Sequence, residues 1–303
     1  MFKQFFRNKN TKWVLLIVFV FALAVSDYFL HGYYNVEGYR GDLLGDKKAG
    51  EYRIACFGGS TTFGFGGTAD AAWPQQLQTI LRANNSFSVI NLGANNQGIY
   101  GIKYDVQHYS FLKYDMAIIY NGETDRSPEV LSTLSFRGDD VFCEYFGYKT
   151  MLGFYTKEAL RRMTPVAKEE HKLVFDASVK DDGNESNVSS YYRSFNNRAI
   201  ALLDSGKIPY EAYISQMEEV LNYLVTRKIR TVVVCQPGAY ESVQQHCVRD
   251  LLHRKFEGQV QYINLSELFP DMKLVSIDGM HLTASGNKRV ALALRDSLFA
   301  GIH

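Results

Sequence analysis

Three residues have the types and spacing for covalent chemistry: Ser60, Asp278 and His281. Ser60 ends a short run, Tyr52-Arg-Ile-Ala-Cys-Phe57-Gly-Gly-Ser60, that reads as a strand entering a glycine turn. In an open α/β sheet, ligands bind at the carboxyl ends of the strands. Gly58 and Gly59 are expected to let the backbone turn sharply and present Ser60 at the sheet edge. A neutral serine hydroxyl is a poor nucleophile and needs a base within hydrogen-bond reach, itself oriented by a third group. Asp278-Gly-Met-His281 supplies both types near the other end of the chain. His281 would take the Ser60 proton. Asp278 would hold the other ring nitrogen and stabilise the imidazolium.

These residues need a scaffold that brings the two ends of the chain together. Apolar runs at 52–57, 87–92, 115–120, 230–235 and 260–264 read as buried strands. Helical patterns at 72–84, 99–113, 210–228, 240–256 and 284–299 alternate with them. Short apolar strands alternating with helices predict βαβ units and a parallel sheet. Residues 126–210 interrupt the rhythm as an insertion after the third strand. The insertion holds an aromatic patch from Phe142 to Tyr155, a charged helix over 156–171 and a polar loop over 181–190. Either a helical hairpin packed beside the sheet or an arm over the substrate fits this stretch. Ser285 is expected to cap the final helix.

The motif order resembles that of the SGNH/GDSL hydrolases. Gly58-Gly-Ser60-Thr-Thr, Trp73-Pro, Asn91-Leu-Gly93, Tyr120-Asn-Gly122-Glu-Thr-Asp125 and Asp278-x-x-His281 follow one another as in that family. The resemblance covers roughly residues 50–125 and 230–300. It implies a flavodoxin-like three-layer α/β/α sandwich with a five-stranded parallel sheet. It also implies an oxyanion hole made by the Ser60 N–H, a backbone N–H of the second block and a side chain of the third. Alignment puts Asn96 where a glycine is usual, and Asn tolerates left-handed backbone. Thr124 stands where an asparagine is usual. Its hydroxyl donates but is shorter than an amide, and Asn121 or Asn95 are the alternatives.

The 33 basic and 32 acidic residues nearly cancel, and no basic stripe with interleaved aromatics argues for nucleic acid. No His/Cys cluster has metal-ligand spacing, and no cofactor is expected. The other histidines lack a catalytic context. Cys56, Cys143, Cys235 and Cys247 read as buried thiols rather than a disulfide scaffold, a Cys235–Cys247 bridge being the alternative.

Lys3, Arg7, Lys9 and Lys12 precede the apolar run Trp13–Val25. Basic residues before an apolar run keep that end in the cytoplasm. Residues 1–30 therefore read as a cytoplasmic stub with a transmembrane anchor, or as a signal segment cleaved near Ala22-Leu-Ala24. Residues 31–50 read as a linker, and 51–303 as the hydrolase-like domain. Both readings place that domain outside the cytoplasm. The expected function is a serine-dependent esterase, or an acyltransferase, acting on an acylated envelope glycan or lipid. A second reading is a binding or assembly module in a membrane complex, with the fold kept and catalysis weakened. Retention of Ser60, Asp278 and His281 weighs against it.

Overall fold

The computed structural model describes residues 9–31, 34–35, 37–82, 86–120, 122, 124–132, 150–153, 156, 185–235, 242–266 and 281–299. Five parallel strands form one sheet: β1 (Tyr52–Gly58), β2 (Phe87–Gly93), β3 (Met116–Tyr120), β4 (Arg230–Cys235) and β5 (Val260–Asn264). Their order is β2-β1-β3-β4-β5. The central strands β1, β3 and β4 are apolar on both faces, as a parallel sheet covered on both sides requires.

The alternation of side chains assigns the helices to faces. Ala55, Phe57, Ile90, Leu92, Ala117, Ile119 and Val233 pack with residues of α4 (Ile99–His108), α6 (Glu211–Thr226) and α7 (Val243–Lys255). Ile54, Cys56, Val89, Met116, Ile118, Val232 and Val234 face α3 (Trp73–Leu81) and α8 (Ala284–Phe299). The expected three-layer α/β/α arrangement is thus the observed one. Among the described residues the first helix is α1 (Lys9–His31), and Ser60–Phe63 forms the one-turn helix α2. Helix α5 (Glu185–Asp204) belongs to the insertion.

Three local expectations need correction. The loop expected over 181–190 is helical from Glu185. Its Ser and Asn residues favour turns in isolation. Tertiary packing overrides this, because Phe195 and Ala199, one turn apart, are buried. Asn196 Oδ1 also accepts the Val243 N–H at 3.0 Å, which docks α5 on the start of α7. The final helix is capped by Thr283, whose hydroxyl accepts the Gly286 N–H at 3.1 Å, and not by Ser285. The expected linker is packed where it is described. Tyr39 and Arg40 are buried, and Arg53 donates to Gly45 O at 2.7 Å. Pro128 O accepts the Tyr210 N–H at 2.7 Å, so the insertion leaves and returns at one point. The aromatic patch apart from 150–153, the charged helix apart from residue 156, and Cys143 lie outside the described residues. Cys56, Cys235 and Cys247 are free thiols, and burial raises the Cys56 and Cys247 thiols above their ordinary value.

Helix α1 is long and apolar enough to cross a membrane, or to serve as a signal sequence. Its 23 residues span about 34 Å at 1.5 Å each, against about 30 Å of hydrocarbon. Trp13, Ile17, Phe19 and Phe21 are each more than half exposed. An apolar surface this continuous is one that water does not tolerate.

At the amino-terminal edge of the sheet, Glu51 accepts hydrogen bonds from Arg53 Nε (3.0 Å), Ser88 Oγ (2.6 Å) and the Lys48 N–H (2.8 Å). Burial pushes this carboxyl up, but the hydrogen bonds together outweigh it. They lower it from 4.5 to about 2. A carboxylate depressed by folding stabilises above its unfolded value and loses that contribution as pH falls through its folded value. The unfolding temperature should therefore fall as pH is lowered from 4.5 toward 2. Glu51→Gln should flatten that slope while lowering stability at neutral pH. Calorimetry across this range checks both.

Candidate active site

Ser60 follows β1 as the first residue of α2, and His281 lies three residues before α8. They are 221 positions apart, yet Ser60 Oγ and His281 Nε2 are 2.8 Å from one another. This is hydrogen-bond distance for a nucleophile and its base. Both side chains are half-buried, so the pair is reachable from solvent. Asp278, the third member of the expected set, lies outside the described residues, as does Asn121.

The glycines beside Ser60 serve a different purpose from the one expected. Neither Gly58 nor Gly59 has a positive φ. Gly58 is needed because α2 crosses tightly over the end of β1, whereas Gly59 faces the loops after β2 and β3. A Cβ at Gly58 would lie 2.1 Å from Thr62 Oγ1 and 2.3 Å from Tyr120 O. Gly93, at the end of β2, would meet Phe63 N at 2.3 Å. The turn after α2 does use left-handed glycines, with Gly64 at φ 82° and Gly66 at φ 81°.

The candidate oxyanion residues sit on neighbouring loops. Ser60 follows β1, Asn96 follows β2 and Thr124 follows β3. Asn96 has φ 58°, the left-handed backbone that glycine usually supplies. The Thr124 hydroxyl lies against the turn that carries Ser60, since a Cβ at Gly59 would be 3.2 Å from its Oγ1. Asn95 donates its N–H to Tyr34 Oη at 3.4 Å. Asp125, almost wholly buried, accepts the Ile99 N–H at 2.7 Å through Oδ2 and ties the second block to the third. Its backbone carbonyl also accepts from Gln244 Nε2.

Several residues around the site were not singled out by sequence. Phe65 is half exposed, and its ring lies 4.7 Å from the His281 imidazole. Only the spacing from Ser60 could have suggested it, because a single aromatic in a glycine-rich turn carries no periodic signal. Asn287 is buried, donates to Leu282 O and Thr283 O at 3.1 Å each and accepts the Trp73 N–H at 3.2 Å. It thereby fixes the segment just after His281 to α3. Arg40 reaches the same region from the amino-terminal side. Among the described residues, no group of three or more His, Cys, Asp or Glu side chains could hold a metal ion.

Comparison with known proteins gives structural neighbours only. No protein-family model matches the chain, and no curated protein matches it. Many solved structures do. An α/β hydrolase from the metagenome of Lake Arreo, Spain, aligns with a TM-score of 0.48 at 13% identity, over 81% of this chain and 94% of its own. Axe2, an acetylxylan esterase from Geobacillus stearothermophilus, aligns with a TM-score of 0.48 at 11% identity, over 82% and 94%. A member of the lipolytic G-D-S-L family from Veillonella parvula aligns with a TM-score of 0.44 at 12% identity, over 83% and 100%.

Proposed function

We propose that this chain is a serine-dependent ester hydrolase that works at the outer face of a membrane. The observation that carries the reading is the 2.8 Å approach of Ser60 Oγ to His281 Nε2. In the proposed reaction, His281 takes the Ser60 proton as Oγ attacks the ester carbonyl. The Ser60 N–H, the Asn96 N–H and the Thr124 hydroxyl donate to the developing oxyanion. The C–O bond then breaks, and His281 passes its proton to the leaving alcohol. Water repeats the sequence on the acyl-serine and releases the acid. Asp278 is assigned the part of holding the imidazole and stabilising its charged form. A sugar or lipid hydroxyl in place of that water would make the same site an acyltransferase.

The membrane placement draws on α1. The helix continues past Ala22-Leu-Ala24 to His31 without a break. Asp27, near its end, is buried and accepts the Leu152 N–H at 2.6 Å. Asp27 would remain in either case, so it is the unbroken helix through the Ala22-Leu-Ala24 site that favours a retained anchor over a cleaved signal. The substrate class is an acylated envelope glycan or lipid within reach of that anchor.

Three outcomes are expected. Ser60→Ala should lower turnover of p-nitrophenyl acetate by about 10⁴-fold or more and abolish fluorophosphonate labelling, with the unfolding temperature kept. Turnover that survives the substitution overturns the nucleophile. A wild-type protein that the probe never labels would favour the binding-module reading. Thr124→Val keeps the shape and removes the donor, so it should cost about 10-fold or more in kcat with KM little changed. An unchanged kcat moves the third donor elsewhere. Finally, the expressed full chain should pellet with membranes and be cut by protease only from the outer side. A mature N-terminus at Val25, read by mass spectrometry, would replace the anchor with a signal peptide.

A further inference from the structure

The turn that follows α2 is held by a residue from outside the sheet. Phe63-Gly-Phe-Gly-Gly67 contains three glycines, which leave a chain loose unless something fastens it. Arg40 is 1% exposed and sits inside this turn. One guanidinium nitrogen donates to Phe63 O and to Gly64 O (3.0 Å), and the other to Gly67 O at 2.7 Å. The guanidinium carbon lies 4.2 Å from the centre of the Phe63 ring. A buried cation is costly unless its donors are satisfied. The planar fork of arginine reaches several diverging carbonyls at once, and a single ammonium does not.

Arg40 is itself fixed. Its N–H donates to Asn91 O at 3.1 Å, and it forms a bridge with Tyr34 that closes a tight turn. Asn35 Oδ1 braces that turn by accepting the Glu37 and Tyr39 N–H groups at 3.1 and 3.2 Å. The Tyr34 ring packs 5.1 Å from Phe63. Tyr34 begins three residues after the end of α1 at His31. Ser60 begins the helix that leads into the Phe63–Gly67 turn, and Phe65 within that turn lies tilted against the His281 ring, 4.7 Å away.

We propose that Arg40 is a positioning residue, and that Tyr34–Arg40 is a strap fixing the Ser60 turn from the foot of the apolar helix. Fastening Phe63, Gly64 and Gly67 fixes Ser60 on one side and Phe65, hence the His281 ring, on the other. The catalytic consequence rests on the ester-hydrolase reading; the fastening does not. The strap also ties the site to the anchor. Met151 is fully buried with Ala94 and Tyr34, and its neighbour Leu152 is the donor to Asp27 of α1.

The test uses the full chain in detergent micelles, as wild type, Arg40→Lys and Arg40→Ala. Hydrogen–deuterium exchange reads the fastening, and p-nitrophenyl acetate kinetics read its consequence. In Arg40→Ala, exchange of peptides covering 59–67 should quicken about 10-fold or more, with β1, β3 and β4 still protected. Its kcat should fall about 30-fold with KM changed less than about 3-fold. Millimolar guanidinium should restore part of both the protection and the kcat. Arg40→Lys should lie between the two. Unchanged protection and kcat in Arg40→Ala would overturn the proposal. So would equal loss of protection across the sheet in Arg40→Lys, which would make Arg40 a general stability residue. Local loosening of 59–67 in a protein whose wild type turns over no ester would uphold the strap and overturn the ester-hydrolase reading.

Discussion

The close crossing of α2 over the ends of β1 and β2 is the contact on which the site depends. Gly93 comes so near Phe63 that any side chain there would occupy the space of the helix backbone. A Cβ at Gly58 would meet the Thr62 side chain and the Tyr120 carbonyl. Interiors this tight give little under strain. Ser60 therefore has one place to be, set by backbone against backbone rather than by a flexible side chain. The requirement at Gly58 and Gly93 is for space, and the left-handed backbone is reserved for Gly64 and Gly66 beyond the helix.

Sheet order then decides which loops become neighbours. With β1 between β2 and β3, the turns after these three strands lie side by side at one edge. They carry Ser60, Asn96 and Thr124. Asp125 binds the last two turns together through the Ile99 N–H. The partner of Ser60 arrives from the far end of the chain, where Asn287 and the Thr283 cap hold the entry to α8. Long-range contacts of this kind are slow to form but fixed once the parallel sheet is complete. The opposite edge is tied by charge instead, with Glu51 and Asp115 holding Arg53 and Lys47.

Much of this was legible in the sequence because each signal was strong and local. A strand buried on both faces is a continuous apolar run, which made β1, β3 and β4 plain, and the edge strands β2 and β5 follow from the alternation with helices. Ser60 and His281 stood out because their types are chemically specific. What stayed hidden depended on distant partners. Helix α5 is rich in residues that favour loops, and only the burial of Phe195 and Ala199 explains it. Arg40 lies in a polar stretch whose composition reads as a linker, and nothing local tells a buried arginine from an exposed one. Phe65 belongs to no periodic pattern. Thr283 and Ser285 are chemically equivalent as caps, and where α8 begins decides between them.

Thr124 shows how the two levels meet. Gly59 is enclosed by the Gln97 carbonyl, 3.0 Å from where its Cβ would be, and by the Thr124 hydroxyl at 3.2 Å. The wall beside Ser60 is thus already in contact with a side chain as short as threonine. An asparagine at that position would have to pass this point before its amide reached the same space. It would then extend farther into the region above Ser60 than the hydroxyl does. The shorter side chain fits a turn drawn in close to Ser60, and Arg40 holds the segment that follows Ser60 through the Gly64 carbonyl. Threonine in the third block is therefore consistent with the packing of its own neighbourhood, and it leaves more room over Ser60 than an asparagine would.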